Sequence, residues 1–289
     1  LHRGNVSALW PRSQKSEVRS QKSDSSEEST FDPRSSILDP QAFHPEARVF
    51  EVPEAPEFLG AGDFDNDGHW DVVAAVRGSD ALYLLPGDGR GGFVSAKSIA
   101  LPGAVTTLTT GEINRRDGLM DVVVSIIGRD GPEVLIFEWP EGALRGQPEV
   151  FPLPAEATAL ALGQLDDSYE MDLVVAAGSE LLIVHGRDRK LSLDDIRRAE
   201  VRPASIDQRS FPFAITSLAL GDFIWDKEHR TEIAVLSGDG TVHVLQRSER
   251  ENGRKGEWAK EDWEIAELSS PTHPLTHAVG QSQGLQLAD

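Results

Sequence analysis

From residue 47 onward, apolar residues come in short runs broken by Gly, Pro and Asp. Runs of this length between turn-forming residues predict strands. A glycine that ends an apolar strand and opens a polar loop recurs at Gly62, Gly111, Gly163 and Gly221, in steps of 49, 52 and 58 residues. After each comes an acid and a second strand: Asp71-Val72-Val73-Ala74, Asp121-Val122-Val123-Val124, Asp172-Leu173-Val174-Val175 and Glu232-Ile233-Ala234-Val235. Third strands are expected at 81–85, 133–137, 180–184 and 241–245, and fourth strands near 95–101, 147–153, 200–205 and 262–268. Four short strands per unit of roughly 40 to 50 residues mark a propeller blade. The second strands are apolar on both faces, as they must be when each blade is covered by a neighbour on either side.

The fold class read from this pattern is all-β: a β-propeller of four-stranded blades, near 57–101, 104–153, 157–205 and 213–268, with a partial fifth at 274–289. Helical alternatives are weak, and 193–199 reads as a single turn in a connection. Residues 1–40 are polar and Ser-rich and carry a near-duplication, Arg12-Ser13-Gln14-Lys15-Ser16-Glu17-Val18 followed by Arg19-Ser20-Gln21-Lys22-Ser23-Asp24-Ser25. Only Val18 could fill a coiled-coil seam, so this segment is expected to be a disordered linker and residues 41–289 the propeller. The strand at 48–52 has no blade of its own and is expected to be the outer strand of the ring's final blade. Residues 275–280 fall where a fifth blade begins. The expectation is a fragment of a larger propeller, an open arc completed by further repeats or a partner chain, because bare strand edges invite pairing.

The first inter-strand loop carries the strongest chemical signal. Gly62-Asp63-Phe64-Asp65-Asn66-Asp67-Gly68-His69-Trp70-Asp71 places carboxylates at positions 1, 3, 5 and 9, with Gly68 where the backbone must turn around a cation. Hard oxygen donors at this spacing suit Ca²⁺. An EF-hand would need a bidentate Glu at position 12 and flanking helices, but that position is Ala74, inside a strand. The expected ligands are Asp63, Asp65, Asp67, Asp71 and the backbone carbonyl of His69. A metal-free turn rich in Asp, Asn and Gly is the plain alternative.

At these residues the sequence resembles the FG-GAP/VCBS repeat family, whose calcium-loop blades also build the propellers of integrin alpha chains. The loop just quoted and the hairpin Leu84-Leu85-Pro86-Gly87-Asp88-Gly89-Arg90-Gly91-Gly92-Phe93 carry the resemblance. It implies a calcium-loop propeller with one full metal motif. In the second repeat Glu112, Asn114, Asp117 and Asp121 supply oxygens for a weaker metal loop, but an extra residue spoils the spacing and Arg115 and Arg116 add positive charge. The third keeps Asp166 and Asp172, and the fourth Asp222 and Asp226.

Composition narrows the function. A formal charge of −20 argues against nucleic acid or an anionic membrane as partner, and no apolar run is long enough for a membrane span. The absence of cysteine removes disulfides, thiolate metal sites and a cysteine nucleophile. The chain begins at Leu1 without Met or leader, which suggests a piece of something longer. Gly87-Asp88-Gly89-Arg90-Gly91-Gly92 matches a dinucleotide fingerprint only in form, because a strand rather than a helix follows. His273 and His277 are separated by Pro274, His185 and His243 read as packed or solvent-facing, and no nucleophile elbow appears. The acidic pairs Asp166-Asp167 and Asp194-Asp195 read as turn or surface residues. The functional expectation is a non-enzymatic, extracytoplasmic, calcium-stabilised scaffold binding a protein or polysaccharide. The alternative is a propeller-type polysaccharide lyase or glycosidase using calcium.

Overall fold

The structure, a computed structural model, describes residues 4–8, 47–224, 227, 229–247 and 263–265. A short ribbon of β1 (Gly4–Ala8) and β2 (Arg48–Val52) comes first. Blade one is β3 (Phe58–Gly62), β4 (Asp71–Ala75), β5 (Ala81–Leu85) and β6 (Lys97–Ala100). Blade two is β7 (Gly103–Gly111), β8 (Asp121–Gly128), β9 (Gly131–Phe137) and β10 (Glu149–Pro152). Blade three is β11 (Ala157–Gly163), β12 (Asp172–Ala177), β13 (Glu180–Val184) and β14 (Ile206–Ser210). Blade four is β15 (Ile215–Gly221), β16 (Glu232–Ser237), β17 (Val242–Arg247) and β18 (Trp263–Ile265). Each blade is an antiparallel meander in chain order. The first strands stand side by side, β3 by β7, β7 by β11 and β11 by β15.

The blades pack face to face, and alternation along each strand assigns its side chains to two different neighbours. In blade two, Val122, Val124, Ile126 and Leu135 meet Val73, Ala75, Leu82 and Leu84 of blade one. Val123, Val134 and Ile136 point the other way, onto Leu173, Val175 and Leu182 of blade three. Blade three repeats the arrangement, with Val174, Leu181 and Ile183 against Ile233, Val235 and Leu245 of blade four. Val122, Val123 and Val124 are all fully buried, as the two-faced apolar pattern requires. Each such side chain contributes about 1.5–3 kcal/mol of transfer free energy.

Glycines at the ends of the first strands let neighbouring blades approach. A Cβ at Gly62 would lie 2.3 Å from Met120, and one at Gly163 would lie 2.6 Å from Leu220. The recurrence that reads as a turn signal in the sequence is thus also a packing requirement between blades.

Two boundaries differ from expectation. Within 1–40, Gly4–Ala8 is a strand, because its backbone finds the free edge of β2 and pairing needs no apolar side chain. The other residues of that segment lie outside those described. Strand β2 pairs with β1 among the described residues, and Phe50 and Val52 cover the face of blade one away from blade two at Tyr83, Leu85 and Phe93. Phe50 meets Phe93 edge-on at 4.9 Å between ring centroids.

The fourth strand of blade three is Ile206–Ser210, not 200–205, so that blade runs past residue 205. The helix α1 (Asp195–Ala199), capped by the Asp194 carboxylate on Arg197 N–H at 3.1 Å, takes up the connection, and 200–205 return the chain to the blade. The strand β14 alternates exposed and half-buried positions, which leaves no apolar run to read. The face of blade four away from blade three leaves Val242 60% exposed, so among the described residues the four blades form an open arc. The expected fifth-blade strand at 275–280, together with His273, His277 and Asp226, lies outside the described residues.

Candidate metal centre

In all four blades the acid that opens the second strand closes the loop before it. Asp71 Oδ2 accepts the Phe64 N–H at 2.9 Å, Asp121 Oδ2 the Ile113 N–H at 2.8 Å, and Asp172 Oδ2 the Leu165 N–H at 2.9 Å. In blade four Glu232 Oε2 accepts the Phe223 N–H at 2.7 Å, its extra methylene accommodating the longer loop. In blades one and three the second oxygen accepts a further N–H, from Gly87 and from Gly186, each at 2.8 Å. All four acids are buried. They are loop clamps first, and only some have company that suggests a metal.

In blade one they have it. Carboxylate oxygens of Asp63, Asp65 and Asp71 converge within 4.8 Å of one another. Asp65 Oδ1 is buried without a hydrogen-bond partner. Asp63 orients its carboxylate by accepting the N–H groups of Asp67 and Gly68 at 3.2 and 2.9 Å. Gly68 has φ of 83°, so the turn needs its freedom from a Cβ. Burial raises the Asp71 pKa, the Gly87 and Phe64 N–H groups oppose this, and the charges of Asp65 and Asp67 raise it further. Three acids with one orphaned oxygen form a donor set that a hard divalent cation completes, and an all-oxygen set suits Ca²⁺.

Two further residues of this loop flank that set. Asp67 is outside the converging set, and its Oδ1 accepts the His69 N–H at 2.8 Å. The His69 ring lies over Gly89, where a Cβ would stand 2.6 Å from it. The hairpin is confirmed by the Gly87–Phe93 bridge. Blade two holds the other side of the loop: Asn66 Nδ2 donates to the Pro140 carbonyl at 3.1 Å, and a Cβ at Gly142 would lie 2.9 Å from Asp65 Cα. The first loop is therefore part of the junction between blades one and two.

The second loop does not assemble the same way. Among the described residues Glu112, Asp117 and Asp121 are not a converging set. Asn114 is committed elsewhere: its Oδ1 accepts the Arg187 N–H at 3.1 Å, its Nδ2 donates to Glu138 at 2.7 Å, and its backbone bridges to Met171. The extra residue in this loop accompanies a left-handed Asn114, φ 57°, that pairs with the neighbouring loop. Glu112 accepts the Gly118 N–H at 2.6 Å and Asp117 the Leu119 N–H at 3.1 Å.

Burial pushes the Asp121 carboxyl up to about 9, against the pull of the Ile113 N–H and helped by Glu138, Asp117 and Glu112. The folded chain thus keeps a proton that the unfolded chain, with an ordinary value of 3.8, has lost by neutral pH. Stability from this group is present at low pH and is lost as pH rises from about 4 to about 9. Asp121→Asn is expected to remove that slope: between pH 5 and 8 the variant should lose about 2 kcal/mol less unfolding free energy than wild type in urea titrations. Parallel pH dependence in the two proteins would contradict this.

The third loop contains a residue whose role the sequence hides. His185, at the end of β13, points Nδ1 towards Asp166 Oδ2 at 3.5 Å and Asp172 Oδ1 at 3.7 Å, with Nε2 3.1 Å from Asp207 Oδ2. The negative charge of Asp166 first, then Asp172, raises the ring pKa to about 11, although burial opposes it. Its counterpart in sequence reading, His243, is the packed residue expected, stacked on Phe213 at 4.5 Å. In the fourth loop Asp222 pairs with His229 Nδ1 at 2.8 Å.

The loops joining first to second strands share one end of the arc, as the Asn114–Met171 bridge and the Arg247–Asp167 ion pair at 2.8 Å show. Three of them present aromatic side chains there: Trp70, 62% exposed, Tyr169, 65% exposed with the Arg116 guanidinium over its ring, and Phe223, 45% exposed.

Residues 63–124 match the model of the FG-GAP-like repeat, the family that the first loop and its hairpin resemble. No curated protein matches the chain. Two similar solved structures are crystal structures of BBS1N in complex with ARL6DN. The one soaked with mercury is 14% identical, covering 68% of this chain and 53% of that one at a TM-score of 0.46. The one soaked with lead is 16% identical, covering 72% and 54% at a TM-score of 0.47. This chain spans about half the length of either. Among the described residues no helix is long and apolar enough to cross a membrane.

Proposed function

We propose that the chain is a non-enzymatic, extracytoplasmic propeller scaffold whose first loop takes Ca²⁺ and so holds a face that binds a protein or polysaccharide. The observation that carries this reading is the orphaned, buried Asp65 Oδ1 facing Asp63 and Asp71 at a junction between blades. Asp63, Asp65 and Asp71 would hold the ion, which supplies positive charge to a carboxylate cluster and ties the loop to blade two. Ordering that loop adds binding free energy to folding free energy. All-oxygen sites of the extracellular kind work at 10⁻⁴–10⁻³ M calcium, the range that favours a place outside the cytoplasm. The exposed Trp70 immediately precedes Asp71, so the ion's loop and the candidate contact surface are one segment. Exposed aromatics are the residues most enriched at binding hot spots.

The test is retention of soluble polysaccharides and of displayed peptides on immobilised protein, in calcium and in chelator. Binding that needs calcium and drops more than about tenfold in Trp70→Ala, with unchanged melting behaviour, is the expected result. Binding indifferent to both calcium and Trp70 would contradict it.

A further inference from the structure

In the third blade the loop lacks the acid at position 1, where Gln164 stands, and instead receives an imidazole from the end of β13. The His185 Nδ1 atom is buried without a hydrogen-bond partner. Its separations of 3.5 and 3.7 Å from Asp166 Oδ2 and Asp172 Oδ1 are too long for good hydrogen bonds. They are close to those of donors sharing one ion, since bonds of about 2.0–2.2 Å in tetrahedral geometry set donors about 3.3–3.6 Å apart. The three donor atoms lie within 4.8 Å of one another.

His185 and Asp166 are each aimed by a partner at another atom, and Asp172 Oδ1 faces the centre while also accepting the Gly186 N–H, its second lone pair remaining for an ion. Asp207 Oδ2, 3.1 Å from Nε2, holds the ring by that nitrogen and leaves Nδ1 facing the carboxylates, where an arriving metal ion would displace the Nδ1 proton that the acids otherwise retain. That arrangement, carboxylate to imidazole to metal, is how metal-bound histidines are oriented. Asp172 is held by the Leu165 and Gly186 N–H groups, and Asp166 Oδ1 by the Ser168 N–H at 2.7 Å, which leaves Asp166 Oδ2 for the centre.

We propose that Asp166, Asp172 and His185 form a second metal site, in blade three, selective for a first-row transition ion of the Zn²⁺ type rather than Ca²⁺. One nitrogen and two oxygens suit Zn²⁺, whereas Ca²⁺ takes oxygen ligands. Asp207 is a positioning residue that acts through His185. The remaining coordination position goes to water or to an exogenous ligand. The site is separate from the calcium loop of blade one, so either can fail without the other.

The experiment is calorimetric titration of Zn²⁺ into the chain with calcium saturating, on wild type and on His185→Gln, Asp166→Asn, Asp207→Asn and Asp65→Asn. Wild type and Asp65→Asn are expected to bind one Zn²⁺ alike at this site. His185→Gln and Asp166→Asn should weaken that binding event more than about tenfold, and Asp207→Asn by about 10–100-fold. Absorption of Co²⁺ substituted into wild type, in the range of tetrahedral mixed nitrogen and oxygen ligation, supports the site without recourse to any variant. Zn²⁺ binding unchanged in His185→Gln would overturn it. So would wild type that takes up neither ion while the His185 ring, followed by NMR, ignores added Zn²⁺ and stays a protonated partner of its acids.

Discussion

Replacing Asp172 with alanine is expected to lower the unfolding free energy by about 3–5 kcal/mol, with chelator present so that no metal contributes. The carboxylate is fully buried and accepts two backbone N–H groups, from Leu165 at 2.9 Å and Gly186 at 2.8 Å. Removing it strands both donors away from water, at about 1–3 kcal/mol each. Asp172→Asn keeps one acceptor oxygen but opposes an amide to the second N–H, and should fall between alanine and wild type. The neighbouring Asp167 supplies the control. Its carboxylate is 93% exposed in its ion pair with Arg247, and Asp167→Ala should stay within about 0.5 kcal/mol of wild type. Urea titrations of the three variants check the ranking, and equal losses for Asp172→Ala and Asp167→Ala would mean that the clamp is not structural.

The same clamp marks how far the sequence could be read. Asp71, Asp121, Asp172 and Glu232 recur in step with the blade glycines, and that rhythm revealed the repeats, the second strands and the two-faced core. Spacing pointed to a metal at Asp71, and the contacts add a second role that spacing did not show: the acid at this position accepts a backbone N–H in every blade, including blade four, whose loop departs most from the motif.

Local loop spacing also fails where another blade intervenes. Asn114 sits among acids in sequence, yet its amide is used up by Arg187 and Glu138, partners 73 and 24 residues away. His185 was unreadable for the same reason: Asp207 reaches it only because β13 and β14 pair with Val184 opposite Ile206. No local pattern contains that register, and the position of β14 was itself masked by its polar alternation. The convergence of Asp63, Asp65 and Asp71 in the first loop was legible because most of that loop's contacts are made within ten residues. Asp67 lies outside the converging set, its Oδ1 closing a local turn on His69.

Calcium is expected to raise the melting temperature of the wild-type chain by about 5–10 °C. At a hundredfold excess over its dissociation constant a ligand that binds only the folded state adds about 2.7 kcal/mol. For a domain of this size each kcal/mol moves the midpoint by about 2–4 °C. Asp65→Ala removes the orphaned oxygen without touching a backbone clamp, since no N–H depends on it as Phe64 and Gly87 depend on Asp71. The variant should therefore fold in chelator about as stably as wild type and gain nothing from calcium. The deciding measurement is the pair of wild-type melting curves in millimolar calcium and in excess chelator, with Asp65→Ala alongside. The account predicts a calcium-dependent shift of that size in wild type and none in Asp65→Ala, and wild-type curves that coincide in calcium and chelator would contradict it.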